Sequence, residues 1–425
     1  MARARGRTAL ERRVLEAVDM AALVAYLREL VAIPSVGGRE RPAQESVAGM
    51  MRRIGLDVDT WELDLGALRV HPDASMEVER EEGLGVVGTF GPGTGGRSLI
   101  LNGHVDVVPA GEGSAWTSSP WKAEVRRGRV YGRGTADMKG GLACGLFAAK
   151  ALVDAGAVLD GRLLVESVIG EEDGGIGTLA AAVRGYHADG AVIMEPTELH
   201  VAPAQAGALS FRITVSGLAA HACVREEGVS AIDKFLPIRE ALVALEHHRN
   251  RGRRSSLFAR YDLPYALNIG TLRAGTWPSS VAESLVLEGR YGIAVGENPT
   301  KARQEFRKVV AAAARRDPWL RKHPPRVEWW GGQFESASVP VDHPLPQTVA
   351  AALRDVRRKP AAFEGMPYGS DMRLLVKVAE TPTILFGPGD VRRSHRPDEW
   401  VSLADLKACV QTLALAAVRF CRGRA

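Results

Sequence analysis

The chain of 425 residues contains few cysteines, no internal repeat and no long uninterrupted apolar run. Its four cysteines are Cys144, Cys223, Cys409 and Cys421. They form no Cys-x-x-Cys pair, which argues against a disulfide framework or a zinc ribbon and favours reduced thiols. No stretch approaches the roughly 18 consecutive apolar residues that a membrane span requires. The basic N-terminal segment lacks the apolar centre of a signal peptide, so we predict a cytoplasmic protein with no membrane partner.

The chain also has no acidic excess: its formal net charge is +5. Arginines cluster at 3–13, at 249–254 and at Arg392 and Arg393. No aromatic interleaving and no known nucleic-acid module accompanies these clusters. We therefore interpret them as solvated faces and expect no nucleic-acid partner. Arg392 and Arg393 differ because they lie beside a candidate metal ligand, where they would attract anions to the mouth of a pocket.

The length of the chain exceeds what one hydrophobic core usually spans, which predicts two domains. Strand-like runs alternate with helical runs at both ends of the sequence, a pattern typical of a mainly parallel sheet with helices on both faces. The central residues follow the order strand, helix, strand, strand, helix, which indicates an inserted α+β module. We predict an α/β catalytic domain at 1–205 and 326–425 and an inserted domain at 206–325. The N-terminal residues, about 20 of them, are expected to form a poorly anchored arm.

Hydrophobic periodicity predicts the individual elements. Strands are expected at 98–108, 162–169, 190–194, 209–216, 266–272, 284–293 and 383–386. Helices are expected at 21–31, 140–155, 178–184, 230–247, 300–316 and 403–420, the last of them capped by Ser402.

His104 and Asp106 stand two residues apart on the first of these strands, so both side chains should point to the same face. There the imidazole can bind a metal while the carboxylate holds its other ring nitrogen and fixes the tautomer. Downstream, Asp137 occupies a glycine-rich bend, Gly132–Gly141, where a carboxylate can bridge two cations. Together the two segments indicate a two-metal hydrolase.

Three further segments place acidic residues or histidine at the ends of predicted strands. These residues are Glu171 and Glu172, Glu195, and His395. In open α/β sheets, sites form at the carboxyl ends of the strands. Acidic groups gathered there would repel one another strongly unless cations neutralised them. Each segment alone is an ordinary acidic turn or loop histidine, but their joint occurrence at strand ends favours a metal centre.

Two divalent ions a few ångströms apart need a bridging carboxylate, further carboxylates and one imidazole each. We predict Asp137 as the bridge, His104 with Glu195 at one ion, and Glu172 with His395 at the other. Adjacent residues in extended backbone face opposite ways, so only one of Glu171 and Glu172 can bind metal. Glu171 is then predicted to take a proton from the attacking water and pass it to the leaving nitrogen.

These motifs resemble those of the di-zinc peptidase/deacylase family of acetylornithine deacetylase, succinyl-diaminopimelate desuccinylase, aminoacylase and glutamate carboxypeptidase. The likeness extends from Ile33-Pro34-Ser35 to Glu399. It implies two zinc ions, with cobalt or manganese able to substitute. It also implies that Asp137 is the bridge and that Glu171 is the general base.

The inserted module resembles the dimerisation or lid domain of that family. Its segment Gly217–Ala222 matches a motif whose histidine, here His221, reaches into the partner's site in dimeric relatives and stabilises the developing oxyanion. The resemblance therefore implies a homodimer formed through the inserted domain. The segment Gly369–Arg373, which includes Asp371, fits a family segment that lines the site.

One departure from the family concerns the substrate. Relatives that act on α-carboxylates carry an asparagine at the lid turn and an arginine on the next strand. Here the turn at 275–281 has serine where asparagine is expected, and Arg290 lies about two positions away from the expected site. A shift of two residues keeps the same strand face.

We predict a metal-dependent hydrolase that removes the acyl group of a small N-acyl amino acid or related N-acyl amine. Two alternatives from the same class stay open: a dipeptidase or carboxypeptidase, and a deformylase or deacylase of a heterocyclic amine. A non-catalytic binding protein on the same fold is a further alternative. The presence of Glu171 counts against it, because a binding protein needs no general base.

Overall fold

The computed structural model describes residues 7–251 and 255–424, and within them the chain divides into two compact units. The first unit combines the described residues as far as Ala204 with Ser338–Glu364 and the part from Ser370 onward. The second unit comprises Gln205–Ala337 and Gly365–Gly369. Of the predicted arginine clusters, Arg3, Arg5 and residues 252–254 lie outside the described residues.

The first unit is built around a sheet whose central strands are parallel. The strand order is Asp57–Glu62, Leu84–Phe90, Arg162–Val168, Ser98–His104, Ala191–Ile193, Thr383–Leu385, Val201–Gln205 and Ala337–Ser338, with Phe363–Met366 pairing off this path to Val201–Gln205. The third to sixth strands in this order are mutually parallel, whereas the strands flanking them pair antiparallel. Short strands outside this sheet are Glu124–Arg126, Arg129–Tyr131 and Trp400–Ser402, and Val158–Leu159 with Gly423–Arg424. The predicted α/β class is confirmed.

Helices surround this sheet. Those of the first unit are Ala9–Glu16, Met20–Val31, Arg41–Ile54, Leu65–Arg69, Lys139–Asp154, Ile176–Val183, Pro344–Arg357, Met372–Lys377 and Leu403–Phe420, with single 3₁₀ turns at Gly113–Ala115 and Val391–Arg393. Helix Lys139–Asp154 is almost completely buried. Its small residues permit this close packing: a Cβ atom on Gly141 would come within 2.0 Å of the Met194 carbonyl oxygen. The start of this helix is thereby held against the end of a central strand.

The N-terminal segment differs from the predicted loose arm. Helix Ala9–Glu16 begins at a capping box formed by Thr8 and Glu11. Its apolar side chains Leu10 and Val14 are buried. The Glu11 carboxylate also pairs with Arg419 of the last long helix, at 2.7 Å. Amphipathic spacing and a capped start therefore anchor this segment despite its basic composition.

The second unit packs two long helices on one face of an antiparallel sheet. The strand order is Leu267–Ala274, Ser284–Ile293, Gly207–Ser216 and Arg326–Phe334. The helices are Ala231–Asn250, Pro299–Arg315 and Pro318–Lys322, with 3₁₀ turns at Ala222–Glu227 and Ser256–Phe258. The core of this unit includes the aromatic rings of Phe211, Tyr291 and Phe306, which pack against one another at tilted angles.

The inserted unit extends further along the chain than the boundary at 325 predicted. Strand Arg326–Phe334 pairs antiparallel with Gly207–Ser216, for example through Ile213 and Val327. This pairing joins residues more than 100 positions apart, which local periodicity does not reveal. Among the described residues, no helix has both the length and the apolar character that a bilayer span needs.

Candidate metal centre

The candidate residues gather because four neighbouring parallel strands of the first unit end at one edge. His104 ends the strand Ser98–His104. The strands next to it on either side lead to the Glu171-Glu172 pair and to Glu195, and the strand beyond, Thr383–Leu385, leads to the loop of His395. The carboxyl edge of a parallel sheet is where such folds build their sites. Strand order therefore brings together residues that are far apart in sequence.

Asp137 lies between the two histidines. Its Oδ1 atom is 3.4 Å from His104 Nε2 and its Oδ2 atom is 3.5 Å from His395 Nε2. Each carboxylate oxygen thus faces a different imidazole. This is the arrangement that a bridging ligand requires, with one oxygen available on each side.

The remaining carboxylates divide between the two histidines. Glu195 Oε1 lies 3.7 Å from His104 Nε2, and Glu172 Oε2 lies 3.0 Å from His395 Nε2. Glu171 Oε2 is 3.9 Å from His104 Nε2, so it also faces the cluster. Potential ligand atoms lie within 4.8 Å of one another in two groups: His104, Glu171 and Glu195, and His104, Asp137 and Glu172.

The contact predicted between His104 and the Asp106 carboxylate differs in the structure. His104 Nδ1 lies 2.9 Å from the backbone carbonyl oxygen of Asp106, and 3.6 Å from its carboxylate oxygen Oδ1. The other carboxylate oxygen accepts a hydrogen bond from the backbone N–H of Glu172, at 3.0 Å. The strand ends at His104 rather than at Val108, so the alternation of side chains does not extend to Asp106. Asp106 therefore contacts the imidazole through its backbone and the glutamate loop through its side chain.

The electrostatics of the cluster depend on burial and on like charges. Burial raises the pKa of Glu171 and Glu195 well above the usual value, and neighbouring carboxylates raise it further. Burial would lower the pKa of His104, but the carboxylates around it, Asp106 first, raise it well above the usual value instead. The Glu172 carboxylate, followed by Asp137, raises the pKa of His395 to about 11. The site thus strongly favours positive charge.

These residues fit a pair of divalent cations. Among the described residues, His104 Nε2 and Asp106 Oδ1 are buried polar atoms without a hydrogen-bond partner. An unpartnered imidazole nitrogen that faces carboxylates is the donor expected of a metal ligand. Imidazole nitrogens and carboxylate oxygens are also the ligand types that zinc accepts.

Buried contacts around the Asp137 loop hold it in place. The Lys139 ammonium donates to the carbonyl oxygens of Leu30 and Ile33, at 3.0 and 2.8 Å. Burial lowers the pKa of Lys139 to about 7. On the other side, Glu399 Oε1 accepts hydrogen bonds from the backbone N–H groups of Ala136 and Asp137, at 2.8 and 3.1 Å. Sequence reasoning assigned Glu399 no role, although an acid four residues after a candidate histidine, at the end of the family likeness, was a usable signal.

The Glu171-Glu172 loop is held by a buried ion network that sequence reasoning missed. The Arg80 guanidinium bonds both Asp173, at 2.7 Å, and Glu40, at 2.7 Å, and all three side chains are buried. Asp371 Oδ2 accepts a hydrogen bond of 2.6 Å from the Thr178 hydroxyl, on the helix that follows the loop. Arg80 lies in a segment without periodicity, so only folding reveals its partners.

Two predicted positions lie outside the cluster. His221 is exposed in the second unit, where its Nδ1 atom accepts a hydrogen bond from the backbone N–H of Cys223, at 3.2 Å. It also forms an isolated β-bridge with Ser280 of the turn at 275–281. Arg392 pairs with Asp390 and Glu198, at 2.8 and 3.0 Å. Arg392 is thus already paired with two carboxylates, and the expectation that it attracts anions stays a prediction.

Comparisons with known proteins all lead to the same protein family. Residues 100–419 match the model of peptidase family M20/M25/M40. An N-formyl-4-amino-5-aminomethyl-2-methylpyrimidine deformylase from Halalkalibacterium halodurans is 30% identical and aligns over 95% of each chain. An acetylornithine deacetylase from Proteus mirabilis is 26% identical over 95% of this chain and 98% of its own.

Solved structures share the fold. The di-peptidase Dug1p from Saccharomyces cerevisiae superposes with a TM-score of 0.79 at 12% identity, covering 97% of this chain and 98% of its own. A dinuclear metal-binding peptidase of the M20 family from Bacillus subtilis gives 0.60 at 15% identity, covering 95% and 98%. The match over most of the chain and the clustered ligand residues lead to one conclusion: this chain belongs to peptidase family M20/M25/M40 and is a metal-dependent hydrolase of amide bonds.

Proposed function

We propose that this enzyme removes a small acyl group, such as formyl or acetyl, from the nitrogen of a small amine or amino acid. The observation that carries the proposal is the placement of Asp137, with one carboxylate oxygen towards each of two imidazoles. Full-length similarity to a deformylase and to an acetylornithine deacetylase supports the substrate class. Both relatives are named for removing a one- or two-carbon acyl group.

The residues that would hold the metals follow from the geometry. His104 and Glu195 would bind one ion, Glu172 and His395 the other, and Asp137 both. We propose zinc, with cobalt or manganese as substitutes, since imidazole and carboxylate ligands suit all three. The bound ions would supply Lewis acidity, polarising the substrate carbonyl and acidifying a water molecule.

Glu171 would act as the general base. Its carboxylate faces the cluster but is bonded neither to Asp137 nor to His395 among the contacts of the described residues. It would take a proton from the attacking water, whose oxygen forms a bond to the acyl carbon. The C–N bond then breaks, and Glu171 returns the proton to the leaving nitrogen. The products are a carboxylic acid and an amine.

Arg290 is a partly buried arginine of the second unit. Its guanidinium donates to the Pro367 carbonyl oxygen at 2.9 Å, and its Nε atom is buried without a partner among the described residues. No acidic partner of Arg290 occurs among the described residues, so an anionic group is the partner that its charge would favour. An N-acyl amino acid carries such a group, whereas an N-formyl aminomethylpyrimidine does not.

The decisive experiment is a substrate panel. Purified enzyme loaded with zinc, cobalt or manganese is assayed for amine release from N-formyl, N-acetyl and N-succinyl amines, with dipeptides in parallel. Hydrolysis of acyl amines in preference to dipeptides is expected. Preferential cleavage of dipeptides would favour the dipeptidase alternative, and no turnover of any amide would refute the proposal. Arg290→Met, assayed with the same panel, tests whether this arginine has any role in substrate choice: a rise in KM for N-acyl amino acids alone would show that it has one.

We also propose that the enzyme is a homodimer through its second unit and acts in the cytoplasm. Helix Ala231–Asn250 exposes Ile232, Leu236 and Val243 along one face, each 37% to 52% accessible. Strand Leu267–Ala274 is an edge strand of the same unit, and Leu272 on it is 48% accessible. An apolar helix face beside an unpaired sheet edge suits a second copy of the chain. Light scattering under assay conditions should give twice the mass of one chain.

A further inference from the structure

Arg133 and Glu399 form an ion pair that is almost completely removed from solvent. Arg133 Nη1 lies 2.6 Å from Glu399 Oε2, and the two side chains are 3% and 0% exposed. Neither residue is a proposed metal ligand. Desolvating two charges is costly, and a buried pair does not by itself stabilise a fold. What the pair contacts therefore matters more than the attraction between its members.

Glu399 fixes both ends of the loop that carries Asp137. Its carboxylate accepts hydrogen bonds from the N–H groups of Ala136 and Asp137, at 2.8 and 3.1 Å. Its backbone carbonyl oxygen accepts from the N–H of Gly132, at 2.9 Å. The carboxylate oxygen that bonds Asp137 is not the oxygen that faces Arg133. One side chain therefore links the guanidinium to the backbone of the proposed bridging residue.

Arg133 contacts two further segments of the centre. Its guanidinium donates to the carbonyl oxygen of Arg396, at 3.5 Å, and to that of Pro109, at 3.3 Å. Arg396 directly follows His395. The His395 side chain is 53% exposed, and its backbone has a φ of +58°. Packing alone thus holds the His395 imidazole weakly. The hydrogen bond from Arg133 to the carbonyl oxygen of the next residue, Arg396, helps to fix the backbone that carries it.

We propose that the Arg133–Glu399 pair is a positioning element that sets the spacing between Asp137 and His395, and with it the affinity for the second metal ion. The inference rests on the proposed metal centre and adds to it two residues that are not themselves metal ligands. Weakening the pair should loosen the ion between Glu172 and His395 more than the ion at His104. Residues that orient metal ligands typically contribute about 10-fold to 100-fold to metal affinity.

The test uses full-length Glu399→Gln and Arg133→Lys. The glutamine keeps the size and one acceptor for the two backbone N–H groups but loses the charge. The lysine keeps the charge but cannot reach two carbonyl oxygens and a carboxylate in the same planar geometry. Metal-free protein is titrated with Zn²⁺ in competition with a chromophoric chelator, which gives the stoichiometry and both dissociation constants.

Glu11→Gln provides the matched control. It removes a comparable Glu–Arg pair that joins distant segments, with Arg419, but touches no ligand loop. We expect the wild type and Glu11→Gln to bind two ions alike. In Glu399→Gln and Arg133→Lys the weaker dissociation constant should rise about 10-fold to 100-fold, the tighter one should change little, and excess Zn²⁺ should restore kcat.

The double variant should bind the second ion no more weakly than the worse single variant, because the two residues act as a unit. Unchanged binding of both ions in both single variants would overturn the inference, as would an equal loss in Glu11→Gln. Failure of the proposed metal centre looks different: the wild type would then bind fewer than two ions. If Glu399→Gln does not fold, Arg133→Lys decides alone.

Discussion

The backbone N–H of Glu172 donates a hydrogen bond of 3.0 Å to the carboxylate of Asp106. The proposed ligand Glu172 is thereby tied to the segment that follows the proposed ligand His104. Asp106 Oδ1 is buried 3.6 Å from His104 Nδ1 and has no hydrogen-bond partner among the described residues. A single carboxylate thus lies between ligands of both proposed ions.

Replacing Asp106 with asparagine should therefore weaken metal binding at both ions. The backbone carbonyl contact to the His104 ring stays, but the amide has only one acceptor oxygen and no charge. If that oxygen keeps the hydrogen bond from the Glu172 N–H, the amide NH2 group replaces the negative charge beside His104; if it turns towards His104, the NH2 group faces the Glu172 N–H and the loop loses its hydrogen bond. We expect zinc affinity to fall about 10-fold to 100-fold, measured by chelator competition. Asp59→Asn, which breaks a partly exposed pair with Arg184, is the control and should bind zinc as the wild type does. Equal affinities in all three proteins would contradict this role.

Glu171→Gln should separate catalysis from metal binding. Glutamine cannot take the proton of the attacking water, so kcat should fall about 100-fold to 10,000-fold. Metal content, measured by elemental analysis after dialysis, should stay at two ions. The neighbouring Glu172→Gln is the comparison and should lose metal as well as activity. Survival of activity in Glu171→Gln would mean that another residue is the base.

A mixing experiment tests whether His221 acts across a dimer. His221→Ala and Glu171→Gln should each be nearly inactive. A heterodimer of the two contains one site that has both Glu171 and the partner's His221, so mixing and re-equilibrating the two proteins should restore activity. The activity of the mixture, followed against the fraction of heterodimer, checks this. No recovery despite heterodimer formation, seen by mass spectrometry, would argue against action in trans.

Glu166 should make the stability of the fold depend on pH. Burial raises its pKa to about 7 from an ordinary 4.5, while Asn102 partly offsets the shift. Because the folded state binds this proton more tightly than the unfolded state, the stabilising contribution is fully present at pH values below the pKa of the unfolded state. It is lost as the pH rises through about 7. We expect Glu166→Gln to flatten the decline in unfolding free energy between pH 5 and 8. The difference would be on the order of 3 kcal/mol, at about 1.36 kcal/mol per pKa unit.

Urea unfolding of metal-loaded protein at pH 5 and pH 8 provides the measurement for Glu166. The exposed Glu81→Gln is the control and should follow the wild type at both values. Identical pH dependence in Glu166→Gln and the wild type would show that the carboxyl is not protonated on folding.

Sequence patterns predicted several helices and strands because the signals of these elements are local. The bounds expected for helix 403–420 and strand 284–293 agree with the structure. Strand 98–108 was placed too long, since the apolar residues continue past His104 while the pairing stops there. Helix Arg41–Ile54 was not predicted, and its start lacks a side-chain cap that would have marked it.

The candidate residues were chosen by residue type at strand ends, and the structure brings six of them together. Their roles stay predictions. What local patterns could not reveal are the residues that act through others, such as Arg133 and Arg80. Their partners lie up to 266 and 93 positions away, and only tertiary folding pairs them.

The proposed ligands span His104 to His395, and each comes from a different strand end or loop. During synthesis, the emerging chain can therefore assemble no complete pair of sites until His395 has left the ribosome. Until then, the carboxylates of the centre, such as Glu195, have only one of the two imidazoles nearby to offset their mutual repulsion. Binding of the proposed second ion must accordingly follow the synthesis of nearly the whole chain, after the strands of the main sheet have been made.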